Sequence, residues 1–308
     1  MKNKDISRRK FLNLSGNLLV AGVGAGLILP QFGFSKNSLV SSKSASNKIT
    51  AGEVIERIKQ NVGITWREQS VDVIKAGNPD IIVTGITSTF MSTLDVLQKS
   101  VKAGRNFVIT HEPTFWNGFD ESKGLTDDPL YQHKLDFINK NNLVVWRFHD
   151  HWHGRKPDGI NEGINKELGW DHYKQDETHG VFELPNAITL EVFAREVKSR
   201  LKSDNIRVIG NPRLIVKKVS KNFNKLAGGV SQVQFADAFI VKEADRENDL
   251  GEWCRDNVLS GQKKGFIFIS HNIGEEAGME NCANWVRKFI PEVPVDFIPS
   301  GDPFWRTI

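Results

Sequence analysis

Three hydrophobic runs in this chain end on histidine, and no other feature constrains the fold as much. Phe107-Val-Ile-Thr110 leads into His111-Glu112-Pro113, Leu143-Val-Val-Trp-Arg-Phe148 into His149-Asp150-His151-Trp152-His153, and Phe266-Ile-Phe-Ile-Ser270 into His271. Runs of this kind read as strands, so five of the eight histidines lie at strand carboxyl ends. In an open α/β sheet that edge is where loops leave a crevice for ligands. Residues as distant as His111 and His271 are therefore expected to converge in space.

The rest of the chain supports such a sheet. Ala51–Val62 and Thr93–Val101 carry apolar residues at helical spacing, and Asp80–Thr84 is a short β-branched run bounded by Asn78-Pro79 and Gly85. Asn106–Thr110 and Leu143–Phe148 read as strands on either side of a helix at Leu130–Lys140. A second stretch alternates helix Thr189–Lys202, strands Arg207–Ile209, Leu214–Val219 and Ala238–Val241, helix Asp249–Leu259 and strand Gly265–Ser270. Alternation of this kind argues for an α/β fold with mixed, largely parallel sheets. Cys254 and Cys282 are the only cysteines among 308 residues, so stability has to come from a packed core.

Net charge is unevenly spread. The first 47 residues hold seven basic side chains against Asp5 alone, and taking that +6 from the net +4 leaves the body at −2. Such a body lacks the electrostatic footprint of a nucleic-acid binder, and no nucleic-acid partner is expected. Ser7-Arg8-Arg9-Lys10-Phe11-Leu12, ahead of the Gly-rich apolar run Leu18–Leu29, resembles a twin-arginine export signal. That run is short of the roughly 20 apolar residues a spanning helix needs. The expectation is a signal and linker at 1–47, recognition by the twin-arginine translocase, and a periplasmic location.

The chemistry gathers at the three histidine clusters. In an extended backbone, His149, His151 and His153 would share one face, with Asp150 and Trp152 on the other. His271 ends its strand, and Glu275 lies on the first turn of the following helix, four positions later, where both can point at one ion. Acidic residues in a first turn, Glu276 included, also serve simply to oppose the helix dipole. Imidazole with carboxylate suits Zn, Fe or Mn better than Ca or Mg, and nothing in the spacing separates those three. His133, His172 and His179 fall on a helix or polar loops and read as surface residues.

These clusters resemble the Nif-three-like family of dinuclear-metal-centre hexameric proteins, homologues of the type 2 GTP cyclohydrolase I. The likeness runs from Gly85-Ile-Thr-Ser-Thr-Phe-Met through Asp158-Gly-Ile-Asn-Glu-Gly and Leu168-Gly169 to Pro299-Ser-Gly-Asp-Pro-Phe304. Carried over position by position, the family's metal ligands fall on His111, Glu112, His149, His153, His271 and Glu275. Glu112 stands where the family has a second histidine and His153 where it has aspartate, an exchange that keeps the balance of imidazoles and carboxylates. The resemblance implies two α/β lobes with the metal site in the cleft between them, and a homo-oligomer, in this family a hexameric ring. The lobes are placed at 48–175 plus about 265–308 and at about 176–264.

Together these readings give an exported protein holding two divalent ions, a metal-dependent hydrolase acting through a metal-bridging water on an unidentified small molecule. Asp150, His151, Glu276 and Asp302 are the candidates for orienting ligands or moving protons. Phe115, Trp116, Trp152, Phe304 and Trp305 are close enough in sequence to wall an aromatic pocket, or else to pack in the core. A non-catalytic metal-binding ring shares the same ligands. A metallo-β-lactamase-like or amidohydrolase-like hydrolase is suggested by the alternating histidines, but Trp152 stands where the former pattern carries aspartate.

Overall fold

Thr50 opens helix α1 (Ala51–Asn61): its hydroxyl accepts from Glu53 N–H while the Glu53 carboxylate accepts from Thr50 N–H. This reciprocal cap starts the helix with Val54, Ile55 and Ile58 on its buried face. The structure, a computed structural model, describes residues 48–304 apart from 119, 224–225 and 244–246. The leader expected at 1–47 and Trp305 lie outside the described residues.

After α1 come β1 (Ile74–Ala76), β2 (Ile86–Thr89), α2 (Leu94–Lys102), β3 (Phe107–Thr110), α3 (Pro129–Lys140) and β4 (Val144–Arg147). The chain turns through α4 (Asp150–Gly154) and α5 (Gly159–Leu168) before β5 (Lys174–Asp176), β6 (Val181–Thr189), α6 (Leu190–Arg200) and β7 (Arg207–Ile209). It continues with β8 (Ile215–Phe223), α7 (Leu226–Gln232), β9 (Ala238–Glu243), α8 (Glu247–Leu259) and β10 (Gly265–Ser270). Helix α9 (His271–Val286) and β11 (Val295–Phe297) complete it.

The strands form two mixed sheets, ordered β1-β4-β3-β2-β11 and β5-β6-β8-β9-β10-β7. In the first, β11, β2, β3 and β4 are parallel, and Thr110 pairs with Arg147, so β3 and β4 end level with one another. In the second, β8, β9 and β10 are parallel, and Ser270 pairs with Glu243. Helices α1 and α9 cover one face of the first sheet, burying Val54, Ile58, Trp146, Phe148, Met279 and Val286. Leu97 of α2 and Ile138 of α3 cover the other.

Helix α9 is the link that matters for function. It leaves the end of β10 in the second sheet and packs into the core of the first. It crosses α5 at Gly163 and Gly278, where an added Cβ would lie 2.5 Å from Gly278 Cα or from Ile160 Cα, respectively. Only glycine lets the two backbones come this close. The crossing sets the middle of α9 beside the start of α5, where Asn281 Nδ2 donates to Gly159 O.

Two expectations need correction. Asp80–Thr84 is not a strand: Ile82 makes an isolated bridge to Thr50, while Val83 and Thr84 N–H groups are taken by Ile49 O and by the Asn106 side chain. The strand starts beyond Gly85, in Ile86-Thr-Ser-Thr89, which is polar in three of four positions yet buried throughout. Strand β10, placed by sequence with the first lobe, is hydrogen-bonded into the second sheet. Crossing to the first sheet occurs at His271, not near 265.

Candidate metal centre

His111 continues directly from β3 and is fully buried. Its Nδ1 lies 3.1 Å from the Phe148 carbonyl, which can only accept, so the proton sits on Nδ1 and the Nε2 lone pair faces inward. His153 and His149 are held in the same way, with Nδ1 at 3.0 Å from Asp158 Oδ2 and at 2.9 Å from Asp150 Oδ1. Acceptors behind the ring are the usual means of aiming an imidazole at a metal. Between His111 and His153 the two Nε2 atoms are 3.2 Å apart. Two lone pairs at that distance repel unless a cation or proton lies between them.

The segment carrying His149 and His153 is a helical turn, not the extended chain expected. Asp72, almost eighty residues away and itself buried, imposes the turn. Its Oδ1 accepts from His149 and Asp150 N–H at 2.7 and 2.9 Å, and its Oδ2 from His151 N–H at 2.9 Å. It thus caps α4 in the role a local Asp would play. One turn puts His149 and His153 on the same face and sends His151 to the other. There His151 bonds Asp72 Oδ2 through Nδ1 at 2.7 Å, accepts Arg67 N–H at Nε2, and stacks on Trp66 with ring centres 3.6 Å apart. His151 is therefore a packing residue, and the alternating-histidine reading loses its premise.

Each candidate carboxylate ligand has one oxygen bound by a cation and the other turned to the imidazoles. Glu112 Oε2 is 3.4 Å from Arg147, while its Oε1 is 3.6 Å from His271 Nε2 and 3.8 Å from His149 Nε2. Arg147 also donates to His111 O and Gly118 O, fixing the loop after β3. Glu275 Oε1 is 2.6 Å from Lys242 of β9, while its Oε2 is 3.3 Å from His111 Nε2 and 3.1 Å from His271 Nε2. His111 and His271 thus meet at one oxygen atom. That Oε2 is buried and receives no hydrogen bond, which a cation shared with the imidazoles would remedy.

Protonation follows from burial and these partners. Burial pushes His111 down and His149 down to about 4, so both are neutral bases at neutral pH. Burial acts the same way on His153 and His271, but Asp158 and Glu275 outweigh it and raise both. Burial also opposes ionisation of Glu275, yet Lys242 with the two imidazoles holds it well below the usual carboxylate range. In Glu112 burial prevails and its pKa is raised.

Two overlapping donor groups result, His111 with His149 and His153, and His111 with Glu112 and Glu275, each with its ligand atoms within 4.8 Å of one another. Nitrogen and carboxylate donors so arranged fit a borderline transition ion such as Zn, Fe or Mn. Glu112 and His153 fall in different groups, so the exchange expected within one shell spans two groups joined by His111. Glu276 and Asp302 make their contacts elsewhere. Glu276 accepts from Ser300 and Gly301, and Asp302 from Asn205 and Phe304 N–H, along a separate cavity of about 460 Å³. Phe115 and Trp152 are core residues, while Trp116 and Phe304 are exposed.

Sequence reasoning missed Asp72, Arg147, Asp158, Lys221 and Lys242. Asp158 alone carried a local signal: an Asp two residues before an apolar helical pattern, where its Oδ1 caps α5 while its Oδ2 holds His153.

A model of the Duf34/NIF3 family (NGG1p interacting factor 3) matches residues 49–303, nearly all of the described chain. The chain belongs to the Duf34/NIF3 family. Among curated relatives, the GTP cyclohydrolase 1 type 2 homolog of Staphylococcus aureus (strain MRSA252) is 30% identical over 98 residues, 30% of this chain and 24% of that protein. The match thus spans about a quarter of the relative's length. A Bacillus cereus protein related to NIF3 superposes with a TM-score of 0.69 at 14% identity, over 84% of this chain and 99% of that one. A hypothetical protein from Staphylococcus aureus gives 0.64 at 17% identity over the same shares. These likenesses establish the two-sheet NIF3 fold.

Proposed function

We propose that this NIF3-family chain is an exported protein that holds two divalent ions and uses them to hydrolyse a small substrate. One observation carries the reading: imidazole Nε2 atoms from both sheets and one oxygen from each of two carboxylates face a common point, with Nδ1 of His111, His149 and His153 held from behind. His111, Glu112, His149, His153, His271 and Glu275 would hold the ions. Such ions, when bound, supply Lewis-acid polarisation and a nucleophile at neutral pH. The chain does the rest. Asp150 and Asp158 fix the ring orientations of His149 and His153, and Arg147 and Lys242 leave each glutamate a single free oxygen. Phe90 lies edge-on to His271 at 5.3 Å and closes one side against water. His149, His153 and His271, each about a third exposed, leave the other side open for substrate.

The test is elemental analysis of the purified protein, followed by an ester, phosphoester and amide panel with the metal found. We expect about two ions per chain, and turnover of at least one of these classes that chelation abolishes. Bound metal with no turnover on any class would favour a non-catalytic metal-binding ring, and no bound metal would overturn the reading. Export is tested separately: Arg8→Lys with Arg9→Lys should block appearance of the protein in the periplasm and leave its metal content unchanged. Normal export of that variant would refute the twin-arginine route.

A further inference from the structure

The second sheet brings two lysines to the metal centre. Lys221 and Lys242 lie near the carboxyl ends of β8 and β9, which run parallel to the strand that ends at His271. Lys242 is committed to Glu275. Lys221 is 6% exposed, its hydrogen bond goes to Asn161 Oδ1, and among the described residues no carboxylate lies within ion-pair distance of it. An ammonium buried without an ion-paired carboxylate is costly. Burial, and after it the repulsion of Lys242, brings the Lys221 pKa down to about 7, although Asp158 and Glu275 favour the charged form from beyond ion-pair distance.

A chain of polar contacts ties Lys221 to the ligands: Asn161 Nδ2 donates to Asp158 Oδ2, which holds His153 Nδ1. Meanwhile Arg147 and Lys242 already match the charges of Glu112 and Glu275. Divalent ions bound here would add positive charge that no further carboxylate among the donors offsets, Asp150 and Asp158 facing the histidines only from behind. Both features call for a negative group supplied from outside.

We propose that Lys221 and Lys242 form an oxyanion-binding wall beside the donor cluster, so that the ligand of this centre carries a phosphate or carboxylate group. This rests on the metal-centre reading above. An incoming oxyanion would give Lys221 the direct ion-pair contact that Asp158 and Glu275 do not make, and a compact ammonium serves such a group as a point charge.

The probes are inorganic phosphate and acetate, each titrated calorimetrically into the full chain, with metal content measured on every sample. Wild type should bind at least one of them, and the preferred one identifies the group. Lys221→Met should weaken that binding about tenfold or more with metal content unchanged. Lys221→Arg, which keeps the charge and guards against loss of fold in the first variant, should restore most of it. Binding of neither anion by wild type at millimolar concentration, or equal binding by wild type and Lys221→Met, would overturn the inference and leave the metal reading standing. Protein that binds phosphate through Lys221 yet holds no metal would keep this inference and refute the metal reading.

Discussion

The two sheet edges that meet at the metal centre contribute opposite things. From the first come His111 and His149, which burial keeps neutral, with His149 lowered to about 4, and His153, the one imidazole of that edge that a carboxylate, Asp158, raises. From the second come charges: His271 raised by Glu275, Glu275 ionised against Lys242, and Lys221 close by. Desolvation thus dominates the first half, where only His153 is raised by its pair, and ion pairing dominates the second. Desolvated bases are ready to bind metal at neutral pH, whereas an ion-paired carboxylate must share its charge with a resident cation.

The sharpest way to break this comparison is to remove one histidine from each edge. His111 belongs to both donor groups and is fully buried; His271 is in neither group and is partly exposed. His111→Ala should lower divalent-metal affinity by more than about a hundredfold, and His271→Ala by about tenfold, measured by competition with a chromophoric chelator. Equal losses would mean that the two edges serve the ions alike.

These differences explain what was legible in the sequence. A hydrophobic run ending in histidine is a local pattern, so β3, β4 and β10 and their terminal donors could be read directly. The polar run Ile86–Thr89 could not, because its burial comes from neighbours on both sides and not from its own composition. Arg147 sits inside an apolar strand and Lys242 at the end of another, each an isolated cation until tertiary structure sets a glutamate beside it. His151 was misplaced because its orientation is decided by Asp72, outside any local window. Glu276 was misplaced for a simpler reason: one step along a helix turns a side chain by about 100°, away from the direction of Glu275.

Asp72 supplies the next test, since it holds the first edge by geometry alone. Asp72→Ala would leave three amides and the buried His151 Nδ1 without their acceptor, at a cost of about 3–5 kcal/mol in stability. The turn would loosen and His149 and His153 would lose alignment, lowering metal affinity about 10–100-fold. Thermal melts with and without metal measure both effects. A variant that is destabilised but binds metal normally would show that α4 needs no cap to present its histidines.

The effect that is smallest at any one pH step concerns a buried lysine at each edge. Lys134 of α3 donates to Thr114 O beneath the loop that follows His111, and burial lowers its pKa to about 8. At the other edge Lys221 is lowered to about 7 by burial and by Lys242. An unfolded lysine titrates near 10.4, so between the folded and unfolded values the unfolded chain holds more protons and stability rises with pH. The window opens at about 8 for Lys134 and one unit lower for Lys221. Between those two values each contributes a slope of at most about 1.4 kcal/mol per pH unit; the slope vanishes below the folded value and again above the unfolded one, where the gain in stability is complete. Denaturant midpoints of the chelated protein from pH 6 to the lysine range (about 10.4) read this directly. Lys134→Met should flatten the curve only above about pH 8, whereas Lys221→Met should flatten it from about pH 7. If both variants lose slope over the same window, the lysine at the second edge feels no repulsion that its counterpart lacks, and the contrast between a desolvated edge and a charged one fails at that point.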